Sequence, residues 1–148
     1  MEREYRGASL FMEGYNCAQA VIMAFSDMIG IDEASCAKLG SSFGGGMGRM
    51  REVCGAVSGM LMVAGILYGY DGPEEGQIKK EHYSRVQELA DNFRKEAGSI
   101  ICREILKNPP SDPSPTPRTQ EYYAQRPCAH MVILAIRRME QYITEHPL

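Results

Sequence analysis

The sequence predicts an all-α protein, a compact bundle of about five or six helices with one Pro-rich connector. Three observations predict it. Apolar residues recur at spacings of three and four, period-two alternation is absent, and glycine or proline clusters punctuate the periodic stretches. The 148 residues fit one domain, 1–148, large enough to bury about two-thirds of the unfolded surface.

Between Arg3 and Met28, an apolar face runs through Leu10, Tyr15, Ala18, Val21, Ile22 and Phe25, with Gly14 as an interruption or bend. Asp32 caps a second, short helix that ends near Ser42. A glycine loop at 44–48 leads to a third helix from about Val53 to Leu67, closed by Gly69, Gly72 and Pro73. Gly55, Ser58 and Gly59 give that helix a small-residue stripe, over which another backbone can come close. Glu74 to Ala97 reads as the clearest amphipathic helix, with Ile78, Tyr83, Val86, Leu89, Ala90 and Phe93 inward and Gly98 as its stop. A short helix from Ser99 to Leu106 takes Ser99 as cap and turns Arg103 and Glu104 outward. Five prolines between Asn108 and Pro117 rule out regular helix there and predict an extended surface connector. Pro127 opens the last helix, which runs to about His146.

Charge narrows the function classes. A net charge of −3 argues against a broad phosphate-binding surface, so no nucleic-acid partner is expected, and Lys79-Lys80 and Arg137-Arg138 read as solvated helix faces. The start, Met1-Glu-Arg-Glu-Tyr-Arg6, is charged with both signs and does not resemble a secretory leader. The uncharged run Val53–Tyr70 carries four glycines and reads as a buried helix, with no membrane insertion expected. The expected compartment is a reducing cytoplasm, where scattered cysteines serve metal or redox chemistry more often than permanent staples.

The chemistry lies in Cys17, Cys54, Cys102 and Cys128. Cys54 follows the glycine loop, is preceded by Arg49 and Arg51, and opens a helix; a cation and a helix N-terminus both favour the thiolate. Cys128 lies in a first helical turn behind Arg126, Cys17 is expected within the first helix, and Cys102 within the short helix before Arg103. Three readings follow. The thiols exchange electrons as reversible disulfides, making the chain a thiol-based oxidoreductase. Alternatively, all four ligate a metal centre, iron–sulfur before zinc, with the backbone N–H groups of Gly44, Gly45 and Gly46 turned towards it. In the third reading they simply pack as small hydrophobes, and Cys36, beside Ala34 and Ala37, is read that way.

Other candidates are weaker. His82 stands in a charged helical segment, His130 is two residues past Cys128, and His146 belongs to the tail. Met47 and Met50 flank the glycine loop, while the other methionines lie in apolar stretches where methionine fills gaps. No Cys-x-x-Cys-His haem motif is present, and Gly44-Gly-Gly-Met-Gly-Arg49 lacks the Gly-Lys-Ser/Thr of a P-loop.

Five segments carry a resemblance: Glu13-Gly-Tyr-Asn-Cys17-Ala-Gln-Ala, Phe43-Gly-Gly-Gly-Met-Gly, Cys54-Gly-Ala-Val-Ser-Gly59, Gly98-Ser-Ile-Ile-Cys102-Arg-Glu, and Cys128 at the last helix. Together they resemble the C_GCAxxG_C_C family, named for its cysteine pattern, over residues 13 to 128. The departure is Val53 directly before Cys54, where glycine follows the cysteine and none precedes it. The resemblance implies a small redox-active protein using thiol–disulfide exchange or electron transfer with a redox partner protein. On this reading Cys54 is the reactive or cluster-facing thiol, and Cys17, Cys102 and Cys128 are partner thiols or co-ligands. A reading of a different class is a non-catalytic helical interaction module, homodimeric through helix 53–69.

Overall fold

The computed structural model describes residues 2–73 and 76–148. Among these, the chain forms α1 (Glu2–Met12), α2 (Cys17–Ala24), α3 (Ser26–Ile29), α4 (Glu33–Gly40), a 3₁₀ turn (Ser41–Phe43), α5 (Gly55–Tyr68), α6 (Gln77–Ala97), α7 (Cys102–Ile105), α8 (Gln120–Gln125) and α9 (Cys128–Glu145). The all-α expectation holds, with the helices shorter and more numerous than the periodicity implied. Residues 106–119, with their prolines, carry no helix.

The first apolar stretch divides because local chemistry interrupts it twice. Gly14 takes a left-handed φ of 113°, a conformation that is cheap only for glycine. Asn16 then restarts the helix with a capping box: its side-chain oxygen accepts from Gln19 N–H at 2.8 Å, and Gln19 Oε1 accepts from Asn16 N–H at 2.9 Å. Cys17 is therefore the first residue of α2, and not an interior residue of a longer helix as expected.

Helix α2 is apolar all round, and it sits at the centre, packed by α1, α4, α5 and α9. The expected small-residue stripe is what admits α5. A Cβ on Gly55 would stand 2.8 Å from Phe43 O and 3.2 Å from Ala18 N, and one on Gly59 would stand 2.9 Å from Ala18 O. The stripe at Gly55 and Gly59 is thus covered by α2 of the same chain. Val21, Ile22, Val57, Met60, Phe93, Leu134 and Ile136 fill the core between these helices.

Helix α6 also departs from expectation. Its expected start at Glu74 lies outside the described residues. Leu89 and Phe93 are buried, whereas Ile78 and Tyr83 are 51% and 53% exposed rather than inward. The second half of α6 holds those two buried residues, and the helix packs on α9 and α5. The first half runs beside the turn after α5, where the Tyr70 and Tyr83 hydroxyls meet at 3.0 Å. Gly98 ends the helix with φ 88°. The Ser99–Leu106 helix shrinks to α7, and Ser99 is not its N-cap; the Ser99 hydroxyl accepts from Ile101 N–H at 2.9 Å.

Candidate functional site

Each of the four cysteines stands at a helix start. Cys17, Cys102 and Cys128 are the first residues of α2, α7 and α9, and Cys54 immediately precedes α5. All four line one narrow cavity of about 60 Å³. Cys17, Cys54 and Cys102 are buried, and Cys128 is half-buried. Cys36 is buried elsewhere, its thiol against Ile31 O at 3.4 Å, as its reading as an incidental core residue expected.

The glycine loop achieves the convergence by an unusual backbone path. Gly45, Gly46, Met47, Gly48 and Arg49 all have φ between 57° and 70°, and Arg51 has φ 62°. Three of these, Met47, Arg49 and Arg51, are side-chain-bearing residues in a sparsely populated region, and Arg51 is the one that lines the cavity. Hydrogen bonds hold the path: Arg49 N–H to Gly44 O at 3.0 Å, Arg51 N–H to Gly45 O at 3.1 Å and Glu52 N–H to Gly46 O at 2.9 Å. Gly46 leaves no room for a side chain, since a Cβ would sit 2.7 Å from Cys102 Cβ.

Cys54 and Cys102 are then set side by side by a single antiparallel rung. Val53 bridges Ile101, Cys54 N–H donates to Ile100 O at 2.7 Å, and Cys102 N–H donates to Glu52 O at 2.6 Å. The helical reading missed this rung. Its signal is the β-branched residue before each thiol, Val53 and Ile101, which suits extended backbone.

Leu106 and Arg118, near the two ends of the segment 106–119, line the cavity, and the segment is pinned by arginines. Arg51 Nε donates to Pro110 O at 2.9 Å, and Arg49 Nε to Asp112 O at 2.8 Å. Arg118 donates to Phe11 O at 3.0 Å and Tyr15 O at 3.1 Å while lying over the Phe11 and Tyr122 rings. Arg51, Arg118, Arg126 and Tyr122 line the cavity with the thiols. Arg126 was noted behind Cys128 in the sequence, whereas Arg118 and Tyr122 were not, since a lone arginine or tyrosine in a polar stretch carries no spacing signal.

The thiols are electrostatically unlike one another. Pairing with the Cys17 thiol lowers Cys128 to about 7; burial opposes the shift, and the Arg126, Arg118 and Arg51 charges assist it. The same pairing, with burial, pushes Cys17 well above the ordinary thiol value. Burial drives Cys54 up to about 12, against the pull of the Ala56 and Val57 amides at the helix start. Burial also raises Cys102, with Arg51 acting in the opposite direction. The expectation that Arg49 and Arg51 would favour the Cys54 thiolate is therefore corrected. Arg49 turns outward to Asp112 and Thr116, and Arg51 reaches Cys102 Sγ at 3.6 Å.

Gly45 and Gly46 line the cavity, whereas Gly44 packs on Asn16, with a virtual Cβ 2.6 Å from its Nδ2. Met47, Met50 and His130 are exposed and lie off the cavity. His82 is half-buried against Tyr70 and Arg85, and not on a solvated face. Four thiols are a complete donor set for an iron–sulfur cluster in number and chemistry. In their present arrangement, however, no three His, Cys, Asp or Glu side chains among the described residues are placed to hold one metal ion.

The fold and the cavity define a helical protein whose distinctive chemistry is a buried set of four thiols at helix starts. The family described as Putative redox-active protein (C_GCAxxG_C_C) matches residues 15–142, and the chain belongs to it. No curated protein and no solved structure matches the chain. Among the described residues no helix is long and apolar enough to cross a membrane.

Proposed function

We propose that this protein is a thiol–disulfide redox protein in which Cys128 is the attacking thiol and Cys17 the resolving one. The observation that carries this reading is that Cys17 and Cys128 stand at two helix starts on one cavity, where their pairing lowers Cys128 and raises Cys17. The lowered value gives Cys128 more thiolate at neutral pH than the few per cent of an ordinary cysteine. It is also the least buried of the four and so the first that a partner reaches.

The exchange balances as follows. The Cys128 thiolate attacks one sulfur of a partner disulfide; that S–S bond breaks, a mixed disulfide forms, and the leaving thiolate takes a proton. Cys17 then loses its proton and attacks the Cys128 sulfur, which releases the second partner thiol and leaves a Cys17–Cys128 disulfide. Two electrons pass from the dithiol to the partner. Cys54 and Cys102 stay protonated and wall the cavity. The partner is a disulfide-bearing redox protein, and a cytoplasmic setting suits a pair that must be re-reduced.

The test is peptide mapping of the oxidised protein, prepared anaerobically and then equilibrated in glutathione buffers, with iron and sulfide assays before oxidation. A Cys17–Cys128 disulfide that forms reversibly, and whose formation Cys128→Ser abolishes, supports the reading. A free thiol count that oxidation leaves unchanged sinks it. Stoichiometric iron and sulfide would replace it with a cluster held by the same four cysteines.

A further inference from the structure

Arg51 is the least expected side chain in the molecule. It is 3% exposed, yet it carries a permanent positive charge. Its Nε donates to Pro110 O at 2.9 Å and its Nη1 to Cys102 Sγ at 3.6 Å, but Nη2 is fully buried with no hydrogen-bond partner. No carboxylate among the described residues pairs with it. A buried cation without a counter-charge is among the costliest arrangements in a protein interior.

The surroundings add positive potential and do not relieve it. Arg118 and Arg126 line the same cavity. Arg118 is engaged with two carbonyls and the aromatic rings, and Arg126 lies over the Tyr122 ring at 4.9 Å. Helices α2, α5 and α9, of 8, 14 and 18 residues, all begin at this cavity, with their positive N-terminal ends towards it. The cavity of about 60 Å³ has room for about four water-sized groups. That suits an anion of three or four oxygens.

We propose that the thiol cavity is a binding site for one small inorganic oxyanion, held by the free Nη2 of Arg51 beneath Arg126 and the starts of α2, α5 and α9. The anion supplies the counter-charge that the protein lacks and joins the Arg51 guanidinium in a charge-assisted hydrogen bond. The site does not depend on the thiols exchanging electrons. A Cys128 thiolate would satisfy part of the same positive potential, so the anion is held best when that sulfur is protonated or bonded.

The experiment titrates the full-length protein with sulfate and with phosphate at pH 6 in dithiothreitol, with chloride keeping the ionic strength constant. Binding is read by calorimetry, by the rise in Tm and by the Arg side-chain nitrogen NMR signals. The expected result is saturation at one anion per chain, a Tm that climbs with the logarithm of anion concentration, and movement of the Arg51 signals. Arg51→Met should weaken binding at least about tenfold, as expected for loss of one charge-assisted contact. Because Arg51 also anchors Pro110, Cys102→Asp serves as a second variant: it keeps the arginine, places a carboxylate beside it, and should abolish binding. No saturable binding by the wild-type protein, Arg51 signals that stay still, or unchanged binding in Cys102→Asp overturns the proposal. Thiols are held reduced throughout, so a protein that binds anion but forms no Cys17–Cys128 disulfide would keep this inference and lose the redox reading.

Discussion

Cys17 and Cys128, the first residues of α2 and α9, line the same narrow cavity, and each shifts the acidity of the other. The two residues lie near opposite ends of the sequence. Their pairing makes two chemically identical groups unlike, with Cys128 lowered and Cys17 raised.

That difference is measurable as an alkylation rate. The rate of Cys128 modification by iodoacetamide, followed by mass spectrometry, should be half-maximal near pH 7, set by its lowered value of about 7. Cys17→Ala removes the paired thiol, and the midpoint should climb towards the ordinary thiol range of about 8.5. A midpoint unmoved by Cys17→Ala would mean that the arginines alone lower Cys128.

Cys54 predicts alkaline instability. Its folded value is about 12 against an ordinary 9.0, so the folded protein keeps this proton after the unfolded chain has released it. The stabilising contribution is complete below the unfolded value and is lost as pH rises through the folded one. Cys128 has the opposite sign: its contribution is complete above the unfolded value and is lost as pH falls through about 7. Urea midpoints should therefore fall steadily above pH 9, and Cys54→Ala should flatten that fall.

Asn16 links helix formation to the thiol. Asn16→Ala removes the capping box on α2, at a cost of about 1 kcal/mol. Because Cys17 is the next residue, the variant should also slow Cys128 alkylation at pH 7. A stability loss without a change in that rate would separate the cap from the site.

Gly55 tests the close helix packing. Gly55→Ala pushes a Cβ to 2.8 Å from Phe43 O and 3.2 Å from Ala18 N, backbone atoms that cannot rotate away. The expected loss is about 1–3 kcal/mol by overpacking, read as a lower Tm. Gly65→Ala, where nothing lies within 4 Å, should leave Tm unchanged or raise it, since alanine is the better helix former.

Much of the fold was legible because helical periodicity, caps and stops are local. Asp32 caps α4 by accepting from Ser35 N–H, Gly98 stops α6, and Gly55 and Gly59 admit a neighbouring backbone, as their residue types predict. The inward face of α6 was less legible. Ile78 and Tyr83 share the pattern of Leu89 and Phe93, but only the latter two are buried. Periodicity reports which side of a helix is apolar, and not how much of its length meets a neighbour.

The sequence by itself determined the helical class, the family and the four cysteines that matter, since each of these is written in residue type and order. The tertiary structure alone decided that helix starts bring those thiols to one cavity, that a single β rung seats Cys54 beside Cys102, and that Arg51 turns to Cys102. It also decided that burial pushes the Cys54 thiol up, while Cys17 and three arginines pull Cys128 down. The physical reason is that a thiol's acidity depends on burial and on the charges and donors within a few ångströms. Those neighbours come from α2, the glycine loop, the segment at 106–119 and the residues just before α9, which meet only when the chain has folded.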